Sequence, residues 1–193
     1  MSALKNFRPV NDYEKELIID SIGKISPNSN AIFEDSLYDY YLIFKQNKQL
    51  KNRLQIYLAN QDKAKIESLN NLYAKIHSIG LYFGFINKGI FYLSLEGAEF
   101  FYKKGFLSEI KCVYLNKRGE KSVLYGNNIL KSMITKTSTK LLKNDFLLIF
   151  NEFNEILAIG LSKTESNIID KLKPKDIVAL NLRDKGYYLR TPQ

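Results

Sequence analysis

The chain has 193 residues, 45% of them hydrophobic and 25% charged, values that suit one or two packed domains and argue against disorder as the overall state. One cysteine, Cys112, and one histidine, His77, exclude an internal disulfide, a closed Cys/His zinc site and an imidazole-centred triad. The net charge of +9 is unevenly spread: residues 1–110 hold 14 Lys/Arg against 12 Asp/Glu, and residues 111–193 hold 15 against 8. A basic excess of that kind attracts polyphosphate by Coulomb steering and counterion release. No apolar run approaches the roughly 20 residues that cross a bilayer. Met1–Val10 has no apolar core and no small-residue cleavage site, so the expected location is the cytoplasm, or the nucleus and nucleolus of a eukaryote.

In chain order, Pro9 and Val10 lead into a helix capped by Asn11 or Asp12, with Glu14 and Glu16 in the first turn, where the dipole favours them. Leu17, Ile18, Ile22 and Ile25 share one face, and Pro27-Asn28-Ser29-Asn30 supplies the stop. Extended segments at Leu37–Phe44 and Leu54–Leu58 flank a polar hairpin loop, Lys45–Asn52. A second helix is expected over Asp62–Ile76, then strands at Leu81–Ile86 and Ile90–Leu93 around an Asn87-Lys88-Gly89 turn. A short helix, Glu96–Tyr102, closes a first domain of residues 1–110. From Lys111 the texture changes to short extended runs at Cys112–Leu115, Phe146–Phe150, Ile156–Leu161, Ile177–Leu182 and Tyr187–Arg190. Lys117-Arg118-Gly119, Asn151–Glu155 and Asp184-Lys185-Gly186 separate them as turns, and Asn128–Met133 reads as a helical insert. This pattern argues a small β-barrel or sandwich over residues 111–193, and an α+β chain whose first domain pairs an antiparallel sheet with helices.

Three groups carry candidate binding chemistry. Tyr125-Gly126-Asn127-Asn128 reads as a strand-to-helix turn, with a helix N-terminus open to phosphate and Lys131 and Lys136 close behind. Lys171, Lys173 and Lys175 alternate with Leu172, Pro174 and Asp176; in an extended segment this puts three ammonium groups on one face, about 7 Å apart. Arg183, Lys185 and Arg190 surround Gly186 with Tyr187 among them, a pairing of guanidinium and ring that suits unstacked bases. Lys163 joins by proximity in sequence. The bland alternatives are a capped helix, a solvated basic loop and packed tyrosines. In the first domain, Tyr38, Tyr40, Tyr41, Phe44, Tyr82, Phe83, Phe85, Phe91 and Tyr92 read mostly as core, any exposed tyrosine suiting a protein interface. Neither G-x-G-x-x-G nor a P-loop is present, and Glu14/Glu16 and Glu96/Glu99 read as dipole and solvation features, so no enzyme, metal or cofactor is expected.

Val123-Leu124-Tyr125-Gly126-Asn127-Asn128-Ile129-Leu130-Lys131-Ser132 resembles the "FLYGNHVLKSG" segment of the Nip-seven family of ribosome biogenesis factors, archaeal-type members included. Phe7-Arg8-Pro9 resembles that family's start, Ser78-Ile79-Gly80-Leu81-Tyr82-Phe83-Gly84 its "SLGTCFGKF" and Asp184–Arg190 its "DIGEYVR". The resemblance implies an N-terminal domain for protein contacts and a C-terminal PUA β-barrel that binds single-stranded, uridine-rich RNA in large-subunit pre-rRNA processing. The implied partners are pre-rRNA and ribosome assembly factors or exosome subunits, with the chain a monomer and no membrane involved. The family usually continues Leu-Lys-Ser with Gly-Leu-Gly-Arg, where this chain has Met133-Ile134-Thr135-Lys136 and so lacks two glycines that allow close backbone approach. The rival readings are a protein-interaction adaptor of an exosome or RNA-modification complex with incidental RNA affinity, and an RNA-modifying enzyme.

Overall fold

The structure, a computed structural model, describes residues 7–26, 38–45, 53–60, 78–107 and 110–190. The expected helix over 62–76, the turn over 27–30, the hairpin loop beyond Lys45 and His77 lie outside them, as do the side chains of Tyr38, Tyr40, Tyr41 and Phe44. The chain falls into two units, Met1–Leu107 and Ser108–Gln193.

In the first unit, β1 (Phe7–Pro9), β2 (Tyr38–Lys45), β3 (Arg53–Asn60), β4 (Leu81–Asn87) and β5 (Ile90–Leu93) form an antiparallel sheet in sequence order. Lys88 and Gly89 both take positive φ, 50° and 73°, the mirror-image turn whose twist matches a two-residue hairpin. Helix α1 (Asp12–Gly23) buries Ile18 and Ile22, and its Ser21 hydroxyl accepts the Phe91 N–H of edge strand β5. Helix α2 (Leu95–Lys103) starts at Ser94, whose hydroxyl accepts from Gly97 N–H and donates to Tyr82 O. A Cβ at Gly97 would stand 2.6 Å from Phe83 O, so that glycine lets α2 lie close on β4. Phe83, Phe91 and Phe101 fill the space between, with ring centroids 5.3 and 4.8 Å from Phe83.

Glu14 does more than complement a dipole. With Asn11 it closes a capping box, and its carboxylate, almost fully buried, takes two hydrogen bonds from Arg8 at 2.5 and 2.8 Å. Burial pushes the Glu14 carboxyl up, but the Arg8 hydrogen bond, the Asn11 N–H and the Arg8 charge outweigh it and hold the group below its ordinary value. The resulting stability is present above the ordinary carboxylate range and disappears as pH falls through the depressed Glu14 value. Arg8→Ala is expected to cost about 1–2 kcal/mol, solvent on the Arg8 side screening part of the pair. Urea unfolding at pH 7 and pH 3 checks both points: the deficit shrinks in acid.

The second unit runs β6 (Lys111–Leu115), α3 (Lys117–Leu124), β7 (Ile129–Leu130), a 3-10 turn (Lys131–Met133), β8 (Ile134–Thr137), β9 (Phe146–Phe150), β10 (Ile156–Ser162), a second 3-10 turn (Ser166–Lys171), β11 (Ile177–Asp184) and a short helix (Tyr187–Arg190). The sheet order is β7-β11-β10-β9-β6-β8, with β6 and β9 parallel. The outermost strands, β7 and β8, are joined by one 3-10 turn, so the sheet curls into a nearly closed barrel. Val113, Leu115, Leu147, Ile149 and Val178 fill it, with Val123 of α3 and Ile169 of the second 3-10 turn packed in from outside the sheet. At the β9–β10 turn, the buried Asn151 side chain accepts from Phe153 and Glu155 N–H.

Three local expectations are corrected. Lys117-Arg118-Gly119 opens helix α3, capped by Asn116; Gly119 is there because its Cβ would meet the Met133 side chain at 2.7 Å. Tertiary packing thus overrides the glycine's breaker tendency. Asn128–Met133 is strand and 3-10 turn instead of helix: Lys131 and Ser132 N–H bond to Asp176 and Pro174 O, and the Asn128 side chain accepts Asn181 N–H from β11. Tyr187–Arg190 is helical, its Leu189 and Arg190 N–H returning to Gly186 O.

Candidate nucleic-acid interface

Strand β11 separates the predicted residues into two groups. It pairs antiparallel with β7, so its start lies beside Leu130 and its end points toward the turn after α3. Seven steps from Ile177 to Asp184 cover about 23 Å.

Lysines collect at the start of β11. Lys173-Pro174-Lys175-Asp176 is a β-turn with proline in its second position, closed by Asp176 N–H to Lys173 O and by Lys173 N–H to the Asp176 carboxylate. Lys171 ends the second 3-10 turn. The expected extended row of Lys171, Lys173 and Lys175 is therefore a bent one: proline and aspartate make a turn, and the regular spacing is lost. Leu172 packs against the core as expected, and all three lysines are exposed. Lys131 joins them, its ammonium 2.9 Å from Asp170 on the second 3-10 turn, and Lys163 N–H bonds Val178 O beside them. Lys140 and Lys143 belong to the same end, because Ser166 bonds Leu141 O and Thr139 O, and Asn144 N–H bonds Ser162 O. Neither lysine carried a motif in the sequence; only strand pairing brings them there. Seven lysines thus meet Asp145, Glu165, Asp170 and Asp176, a local excess of positive charge. Among the described residues, Lys131 is the one of the seven with an ion pair.

The end of β11 is built differently. Helix α3 stops in a Schellman motif: Tyr125 is the C-cap, Gly126 follows at φ 88°, Gly126 N–H bonds Val123 O and Asn127 N–H bonds Ser122 O. The expected positive φ at Gly126 is present, but the turn ends a helix. Neither Asn127 nor Asn128 caps one, so the helix N-terminus proposed for phosphate is absent there. Arg190 donates to both Asp184 oxygens, at 3.0 and 2.9 Å, and to Leu124 O. Asp184 is 3% exposed, and its hydrogen bonds raise the Arg190 pKa above the ordinary value. Arg190 is therefore a structural clamp. Arg183, which follows a bulge at Leu182, lays its guanidinium 3.6 Å from the Tyr187 ring centroid. Tyr125 and Lys185 are exposed nearby in sequence and fold, as is Lys121 in the last turn of α3.

Lys136 lies on β8, its ammonium 5.5 Å from the Tyr114 ring, so it contributes to a strand face and not to a turn. Met133, where the Nip-seven pattern has glycine, is buried in the barrel core. Burial pushes the Cys112 thiol up to about 11 against the pull of Lys111 and Lys136, which leaves it unreactive near neutrality. Among the described residues no group of His, Cys, Asp and Glu is placed to hold a metal ion.

Residues 111–193, the whole of this barrel, match the UPF0113 PUA domain family. The second unit has a PUA fold. A UPF0113 protein of Archaeoglobus fulgidus is 28% identical over 159 residues, 81% of this chain and 82% of that protein. The 60S ribosome subunit biogenesis protein NIP7 of Saccharomyces cerevisiae is 30% identical over 78 residues, 40% of this chain and 43% of that one. In structure, a PUA domain protein of Aeropyrum pernix superposes with a TM-score of 0.63 at 13% identity, covering 95% of this chain and 88% of that one. The resemblance to the Nip-seven family and the α+β fold with a terminal PUA barrel are both borne out.

Proposed function

We propose that the chain is a non-enzymatic RNA-binding protein of large ribosomal subunit biogenesis. Its PUA domain holds single-stranded, uridine-rich pre-rRNA, and its first unit offers a surface to assembly factors or exosome subunits. The observation that carries this reading is the gathering of Lys131, Lys140, Lys143, Lys163, Lys171, Lys173 and Lys175 from four separate stretches of chain onto one end of the barrel. Lysine ammonium groups are point charges, so this end supplies affinity and salt dependence while leaving base identity unread. The yeast relative's name supports the ribosomal setting.

Crosslinking in cells followed by sequencing of the attached RNA tests the assignment. Reads should concentrate on large-subunit rRNA and its precursors. Reads spread over unrelated transcripts remove the ribosomal role, and partner recovery that survives nuclease without any RNA crosslink favours the adaptor.

A further inference from the structure

We infer that Arg183, seated over the ring of Tyr187, is a stacking platform for one unpaired base of the bound strand. The inference rests on the RNA-binding reading and adds to it a place where a base, and not only the backbone, is met. At 3.6 Å from the ring centroid the guanidinium carbon lies over the face of the Tyr187 ring. A side chain that only neutralised phosphate would gain nothing from such a seat; stacking fixes its plane and removes rotamer freedom before any ligand arrives.

The two arginines at this end divide the work. Arg190 directs its donors to Asp184 and Leu124 O, whereas Arg183 has no ion pair among the described residues. The bulge at Leu182, where Ile159 pairs Arg183 and Gly160 pairs Asn181, interrupts the ladder next to Arg183 and re-aims its side chain. The seat is rigid beneath: Gly186 lies against Leu124 O, Gly126 against Arg190, and the short helix carrying Tyr187 folds back on Gly186. Arg183 already covers one face of Tyr187, so an incoming base meets the outer face of the guanidinium. That plane is delocalised and weakly hydrated, and it stacks on a nucleobase as it does on a ring. A purine, with the larger face, is preferred over a pyrimidine at this one position. The 66%-exposed Tyr125 caps the helix end whose Leu124 carbonyl packs on Gly186.

The test uses the full-length chain and oligouridylates of about twelve nucleotides, each with a single 2-aminopurine moved along the strand. The wild-type protein should quench 2-aminopurine at one position. Arg183→Lys keeps the charge and loses the plane. It should leave the salt dependence unchanged, abolish the quenching and weaken binding about tenfold. Tyr187→Ala should copy it, and Tyr187→Phe should behave as wild type. With an abasic site in place of 2-aminopurine, wild type and Arg183→Lys should bind alike. Wild-type quenching by Arg183→Lys, a tenfold gap that persists on the abasic strand, or an unaffected Tyr187→Ala each overturns the platform while leaving the RNA-binding reading standing. Failure of the wild-type protein to bind any of the strands in a salt-dependent way sinks both.

Discussion

Gly186→Ala is expected to lower the stability of the PUA domain by about 3 kcal/mol or more, at the upper end of overpacking effects. The added methyl would land on the carbonyl oxygen of Leu124, backbone that has nowhere to go, and 2.7 Å from the Arg190 guanidinium. Leu124 is the last residue of α3, fixed by the Schellman turn behind it, and its carbonyl accepts from Arg190. Arg190 in turn is held at both oxygens of the buried Asp184. The nearest obstacle is backbone and the Arg190 side chain is tied to Asp184, so the turn, the end of α3 and the clamp must move together. Gly23→Ala is the matched control, since it meets no atom within 4 Å at the end of α1. It should be neutral or stabilising by up to about 1 kcal/mol. Urea unfolding followed by far-ultraviolet circular dichroism compares the two. A Gly186→Ala chain as stable as wild type would show that the turn yields freely, and the rigid seat under Arg183 would go with it.

Much of the fold could be read from pattern because local and tertiary preferences agree there. Phe146–Phe150, apolar throughout and buried from Leu147 on, and Ile90–Leu93, alternating, are strands at the expected bounds. Agreement failed where a glycine or a motif had two uses. Gly119 looked like a turn residue, yet it is a contact for Met133 inside α3, and that one misreading displaced the helix to the wrong side of Gly126. The residues that carry the family resemblance illustrate the same limit. Asp184, Gly186, Arg190 and Gly126 hold the α3–β11 corner together, so they mark the fold more directly than a ligand. Arg183 was visible as a cation near an aromatic, but not as the arginine left over once Arg190 is committed to Asp184. Lys140 and Lys143 had no local signature at all; their membership of the basic end depends on Ser166 and Asn144 closing loops across the barrel.

The largest binding effect is expected from replacing Lys171, Lys173 and Lys175 together by alanine. Each ammonium that neutralises a phosphate of a single strand adds about 0.7 to the slope of log K against log salt. Three lost contacts should flatten that slope by about 2, which at 0.1 M salt corresponds to roughly a hundredfold loss of affinity, closing toward none near 1 M. The bend at Pro174 sharpens the prediction. Had the three lysines stood in an extended row, all would have tracked one strand equally. On a β-turn their directions differ, so a single replacement at Lys171, outside the turn, need not match one at Lys173 or Lys175. All three are exposed and make no ion pair among the described residues, so the fold should tolerate the change, and an unaltered circular dichroism melt makes the titration interpretable. Arg183→Lys, which leaves net charge intact, provides the orthogonal control with an unchanged slope. A triple variant whose slope equals wild type would mean that the phosphates lie elsewhere on the barrel, and the lysine-rich end would lose its claim to be the interface.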